Sequence, residues 1–212
     1  MPVTIYLVRH AQSIVNVSGD GTHRDPELTE LGHKQCADLG ADVAATLDRI
    51  DKVFASPMQR TIQTALRVFP EYKDKIILLP ELQERGTIPC AECDIGSDPE
   101  FLLEKFGDTR LDFSHMTEDW TDKGPGSFYA PQNAVERARS ARQFIREAAK
   151  PFEGTNACIV VVTHGRFIQF LTESNVVFRN AQALPYYFAL ADERDTEARL
   201  IYALPNNRAS SQ

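Results

Sequence analysis

The chain has 212 residues, of which 42% are hydrophobic and 25% charged, and a formal charge of −7. An acidic chain without a broad basic footprint is a poor partner for nucleic acid or an anionic membrane, so any anionic ligand must be held by a few focused cations. No apolar run approaches the roughly 20 residues that span a bilayer, the first residues lack a secretory pattern, and four cysteines are too few for a disulfide framework, so a cytoplasmic location is expected.

Residues 3–8 form a short apolar run that stops at Arg9 and reads as a buried strand. Asp25-Pro26 and Thr29 then punctuate the chain before a helix over 29–48, with Leu28, Leu31, Cys36, Leu39, Val43 and Leu47 recurring at near-helical spacing. Residues 52–55 read as a second strand. Ser56-Pro57 opens a helix, since a serine hydroxyl can accept from free amides and proline suits the first turn. Ile62, Ala65, Leu66 and Phe69 form its apolar stripe, and Pro70 ends it. A third strand covers 76–79.

Residues 86–132 are rich in Gly, Pro and acids and show little periodicity beyond a short helix near 99–106; they read as an insertion or lid. Cys90-Ala-Glu-Cys93 lies here with CxxC spacing, but a zinc site needs a second pair or a Cys/His partner, so no metal and no cofactor is expected. A helix over 133–152 places Val135, Ala138, Ala141, Ile145 and Ala148 on one side. Residues 158–162 are continuous and β-branched, as central parallel strands tend to be. A helical stretch follows His164-Gly165. Residues 186–190 and 199–204 read as strands around a turn at 192–196, and 206–212 as a polar tail. Repeated strand–helix units predict an α/β three-layer sandwich, a mostly parallel sheet flanked by helices plus the insertion or lid, in one domain over 1–212.

Such sheets bind ligands beyond the carboxyl ends of their strands. Arg9-His10 follows the first strand, 56–60 the second, and His164 the central one, so two arginines and two histidines are expected at one edge. A phosphoryl group suits that company. Its transition state spreads charge over three equatorial oxygens, guanidinium forks match those oxygens, and a neutral imidazole nitrogen can attack phosphorus. Glu81 and Glu84 follow the third strand, and either could protonate the leaving oxygen.

Four ordered motifs carry a resemblance. Leu7-Val8-Arg9-His10-Ala11-Gln12-Ser13 with Asn16, the segment 25–32 with Leu28-Thr29 and Gly32, the segment Ser56-Pro57-Met58-Gln59-Arg60 with Thr64-Ala65, and Thr163-His164-Gly165 resemble the signatures of the histidine phosphatase superfamily, also called phosphoglycerate mutase-like. The resemblance covers about 3–85 and 133–175. It implies that His10 is the nucleophile that becomes phosphohistidine, that Arg9, Arg60 and His164 bind the phosphoryl oxygens with Asn16 as a further donor, and that the acid lies in an "L-x-E" segment, which Leu82-Gln83-Glu84 fits. Glu84 is therefore the assigned acid, with Glu81 the alternative. Two departures stand out: Ala11 occupies a position that is usually Gly, and Arg85-Gly86-Thr87 does not continue the common "G-x-x-E-G" pattern.

The expected activity is hydrolysis of a small phosphate monoester. Mutase-type transfer comes second and a non-catalytic phosphate-binding or scaffold protein third. The ranking rests on charge: residues 86–132 hold Lys105, Arg110 and Lys123 against ten acids, and an acidic lid disfavours carboxylated phosphates and bisphosphates if its acids face inward. His33 and His115 are read as surface or structural residues, as is His23 unless it joins Arg24 at the pocket rim. The aromatic residues of 86–132, Trp120 and Phe128 among them, either meet an organic leaving group or pack the insertion.

Overall fold

Period-2 alternation sorts the strand side chains onto two faces, and each face receives its own helices. The computed structural model describes residues 2–189 and 195–203. Among these, seven strands form one sheet: β1 (Thr4–Arg9), β2 (Lys52–Ala55), β3 (Ile76–Leu78), β4 (Leu111–Asp112), β5 (Cys158–Thr163), β6 (Ala183–Phe188) and β7 (Leu200–Tyr202), in spatial order β4-β3-β2-β5-β1-β6-β7. The first five in that order are parallel, whereas β6 runs antiparallel to β1 and β7 antiparallel to β6. Val8, Val53, Ala55, Ile76, Leu78, Val160 and Val162 face one layer, which holds α2 (Glu30–Thr46) and α3 (Gln59–Val68). Ile5, Leu7, Phe54, Ile159 and Val161 face the other, which holds α5 (Ala134–Ala149) and α6 (Gly165–Leu171). This is the three-layer, mostly parallel sandwich the sequence predicts. No helix among the described residues is long and apolar enough to cross a membrane.

Several local readings change. A short helix, α1 (Ile14–Ser18), follows the first strand, where the sequence shows no periodic stretch. The helix after β2 starts at Gln59, not at Ser56-Pro57; its first amide is capped in trans by Asp25 Oδ1 at 2.9 Å. Leu31 is half exposed on α2, and Gly32 is the buried residue of that first turn: a Cβ there would lie 2.1 Å from the Gln12 carbonyl oxygen. The glycine thus lets α2 rest directly on the loop after His10. Val135 is exposed, while Arg137 and Arg142 take buried positions on α5. The turn expected at 192–196 and the tail at 206–212 lie largely or wholly outside the described residues.

The segment 86–132 is woven into the sheet layer. It supplies the edge strand β4 and α4 (Pro99–Phe106), and it buries Leu102, Leu111 and Trp120 in the same core as α2 and α3. The aromatic residues of this stretch do not line the main cavity.

Candidate active site

Parallel pairing of β1, β5, β2 and β3 brings four strand ends to one sheet edge. A cavity of about 460 Å³ opens there, lined by Arg9, His10, Asn16, Arg60, Glu84, Asp94 and Arg166, with Val15, Val177 and Phe178 as an apolar wall.

His10 is 3% exposed. Its Nδ1 lies 2.7 Å from the Ala11 carbonyl oxygen, which can only accept, so Nδ1 carries the proton and Nε2 keeps the free lone pair. Burial, followed by the Arg60 and Arg9 charges, holds its pKa well below the ordinary histidine value, so the ring is neutral. Ala11 is fully buried, and its amide donates to Thr64 Oγ1 at 3.1 Å, so the methyl that replaces the usual glycine is accommodated.

His164 stands edge-on to His10, the ring centroids 5.1 Å apart. Its Nε2 is 2.9 Å from Ser56 Oγ. Its Nδ1 is buried with no protein partner. Burial and Arg60 lower the His164 pKa well below its ordinary value, so this ring too is neutral.

Arg9 donates from Nη1 to the Phe178 carbonyl at 2.7 Å. It packs against Gly165 so closely that a Cβ there would lie 3.0 Å from Arg9 Nε. Arg60 is 2% exposed; Nη1 donates to the Cys93 carbonyl at 2.9 Å and Nη2 to Asp94 Oδ1 at 3.1 Å. The Nε atoms of both arginines are buried without a partner. Three buried polar atoms on residues next to or near His10, Arg9 Nε, Arg60 Nε and His164 Nδ1, therefore have no protein partner. Unpaired buried donors are costly, and the oxygens of a phosphoryl group would satisfy them.

Glu84 lies over the first turn of α6, where Oε1 accepts from the Phe167 amide at 3.0 Å and from its neighbour Arg85 at 2.8 Å. Burial and then the Asp94 charge raise its pKa. Glu81 does not line the cavity; burial raises its pKa, and His115 and Arg137 are among its charged neighbours. Asn16 is exposed at the mouth, and its Oδ1 accepts from the Ser13 amide and from Asn180 Nδ2, at 3.0 and 3.2 Å. His23 and Arg24 lie off the cavity lining, with His23 3.6 Å from Asp20 and Arg24 donating to the Gly96 carbonyl. Among the described residues, no three His, Cys, Asp or Glu side chains gather in a metal-binding group. All four cysteines are free thiols, and burial pushes the Cys93 thiol up to about 11.

The profile of the histidine phosphatase superfamily, branch 1, matches residues 5–184. The chain belongs to that superfamily. A probable phosphatase of Schizosaccharomyces pombe is 28% identical over 207 residues, which is 94% of this chain and 91% of the yeast protein. A phosphoglycerate mutase-like protein of Arabidopsis thaliana is 43% identical over 89 residues, 36% of this chain and 32% of the plant protein. The crystal structure of a mutant phosphoserine phosphatase from Entamoeba histolytica, in complex with phosphoserine, superposes with a TM-score of 0.59 at 16% identity over 95% of each chain. At that identity the likeness is one of fold.

This histidine phosphatase superfamily member supports its site with residues that the motifs do not single out. Asp25, at φ 45° in the left-handed region, accepts from Gln59 N on one oxygen and from Ser97 N and Oγ on the other. It thereby ties the arginine helix to the segment 86–132. Arg137 donates to the Gln83 and Glu84 carbonyls at 2.9 and 3.1 Å. Asp94 reaches the cavity from that segment. Ser56 was visible within its motif, but its bond to His164 was not. Arg137 and Asp94 act through contacts distant in sequence, and no local pattern marks them; Asp25 opens the 25–32 motif, but its bonds to Gln59 and Ser97 do not show there.

Proposed function

We propose that this chain is a phosphatase that hydrolyses a small phosphate monoester through a phosphohistidine on His10. The observation that carries the reading is the tautomer of His10: a neutral ring with Nδ1–H held by the Ala11 carbonyl and Nε2 free, in a cavity lined also by Arg9 and Arg60, with the buried His164 ring edge-on to it. Nε2 attacks phosphorus, the P–O ester bond breaks, and Glu84, whose pKa burial raises, gives a proton to the departing alkoxide. The resulting carboxylate then takes a proton from water as that water attacks the phosphohistidine. Inorganic phosphate leaves, and His10 and Glu84 return to their starting states. The two guanidinium groups and the His164 ring stabilise the charge on the transferred oxygens.

The test compares His10→Ala and Glu84→Gln on an alkyl and an aryl phosphate. His10→Ala abolishes phosphate release from both and leaves the fold intact. Glu84→Gln slows the alkyl ester by roughly 10²–10⁴ and the aryl ester much less, since a good leaving group needs little protonation. Full activity in His10→Ala refutes the nucleophile, and equal slowing of both esters removes Glu84 from the acid's role. Isomer formation from a phosphoglycerate with little free phosphate would make the chain a mutase instead.

A further inference from the structure

Arg60 does not face the phosphoryl site as a free cation. Both of its terminal nitrogens are engaged by consecutive residues of the segment 86–132, Nη1 by the Cys93 carbonyl at 2.9 Å and Nη2 by Asp94 Oδ1 at 3.1 Å. The ion pair is enclosed, with side-chain exposures of 2% for Arg60 and 14% for Asp94, so solvent screens it little. That segment is itself pinned: Cys93 N donates to the Gly21 carbonyl at 3.0 Å, Ser97 is held by Asp25, and Arg24 Nε donates to the Gly96 carbonyl at 2.8 Å. Of the ten acids in 86–132, Asp94 is the one that lines the cavity, which it shares with Glu84.

We propose that Asp94 is a positioning residue for phosphoryl transfer: it clamps the far end of the Arg60 fork, leaves Arg60 Nε for the substrate, and limits the positive charge at the site. Two consequences follow, both resting on the proposed phosphatase reading. Phosphate, the product, is held less tightly than two unneutralised guanidinium groups would hold it. Glu84 faces an anion and so keeps its proton to higher pH. The groups facing Glu84 from the surrounding elements are Asp94 on the segment 86–132, Arg60 on α3, Arg9 on β1, Arg137 on α5, and the α6 amides of Arg166 and Phe167. Asp94 is the anion among them, and all the others favour the carboxylate.

The test uses Asp94→Asn, which keeps the shape and an acceptor for Arg60 but removes the charge, with Asp94→Glu as the conservative control. Inorganic phosphate binding is measured by calorimetry, and the pH profile of kcat/KM is measured with glycerol 2-phosphate. In Asp94→Asn, phosphate binds about fivefold more tightly and the alkaline limb of the profile moves down by roughly half a pH unit or more, as removal of a nearby enclosed charge requires. Asp94→Glu stays close to the wild type in both. A merely structural role would leave phosphate binding unchanged, because the asparagine oxygen still anchors Arg60. Unchanged or weaker phosphate binding overturns the proposal, as does an alkaline limb that stays in place in an active enzyme. The binding arm needs no turnover, so a chain that hydrolyses nothing would refute the phosphatase reading while phosphate binding still decides the role of Asp94.

Discussion

Arg137→Met is expected to lower both stability and acid catalysis. The Arg137 side chain is fully buried, its guanidinium donates to the Gln83 and Glu84 carbonyls at 2.9 and 3.1 Å, and it lies 4.4 Å from the centre of the Phe167 ring. Each charge-assisted bond contributes about 1.5–3 kcal/mol, and its loss leaves a carbonyl unpaired. The ring contact adds roughly 1–2 kcal/mol. Burial works the other way: it pulls the Arg137 pKa down to about 10, which means that the enclosed charge is itself costly. Methionine fills the same space without that cost, so the net loss is about 3 kcal/mol. For a chain of this size that is a drop in Tm of roughly 6–12 °C. The Gln83–Glu84 backbone loses its tether, so hydrolysis of an alkyl phosphate falls about tenfold while an aryl phosphate is spared. Arg137→Lys does not rescue, because one ammonium cannot span two successive carbonyls as a planar fork does. Thermal melts and phosphate release with both esters check this. An Arg137→Met protein that melts within about 2 °C of the wild type and hydrolyses the alkyl ester normally would refute the reasoning.

Gly165→Ala puts a methyl 3.0 Å from Arg9 Nε, so Arg9 must shift while the helix gains from alanine; Tm holds or rises and KM for phosphate esters increases about three- to tenfold, which steady-state kinetics beside a melt will show. Ser56→Ala removes the hydroxyl that holds His164 Nε2; vanadate inhibition should weaken about tenfold with little change in Tm. Lys123 bonds to Gln83 Oε1, and burial lowers its pKa from 10.5 to about 7. Between those values the unfolded chain binds more protons than the folded one, so stability rises with pH across that window. Denaturant midpoints at pH 7 and 9 should therefore rise more in the wild type than in Lys123→Met; an equal rise in both would show that Lys123 titrates normally.

The layers were legible because their signals are local. Continuous apolar strands such as 158–162 and the helical stripe of α3 reveal themselves within a dozen residues, and parallel order follows from the alternation of strands and helices. The converging Arg9, His10, Arg60 and His164 were legible because each closes a strand or opens a helix at the same edge. What escaped depends on partners far along the chain. Ser56 looks like a helix cap by itself, but its hydroxyl turns to His164, 108 residues on, and the cap comes from Asp25. Arg137 and Arg142 look like the polar side of α5, yet both are buried because they reach carbonyls of the 83–84 and 170–171 backbone. Composition cannot separate such an arginine from a solvated one.

Whether the acids of 86–132 bear on an anion depends on which of them face the site without intervening water. Exposed charges are screened over about 10 Å at ordinary salt, and of the ten acids in that segment Asp94 is the one that reaches the cavity. A chain with formal charge −7 can therefore build an anion site from Arg9 and Arg60 at strand and helix ends. The two histidines strengthen that site by being neutral. His10 offers a lone pair at Nε2, and neither ring adds a cation that would favour the Glu84 carboxylate. In this arrangement the tautomer of His10, fixed by the Ala11 carbonyl, matters more than the net charge of the protein.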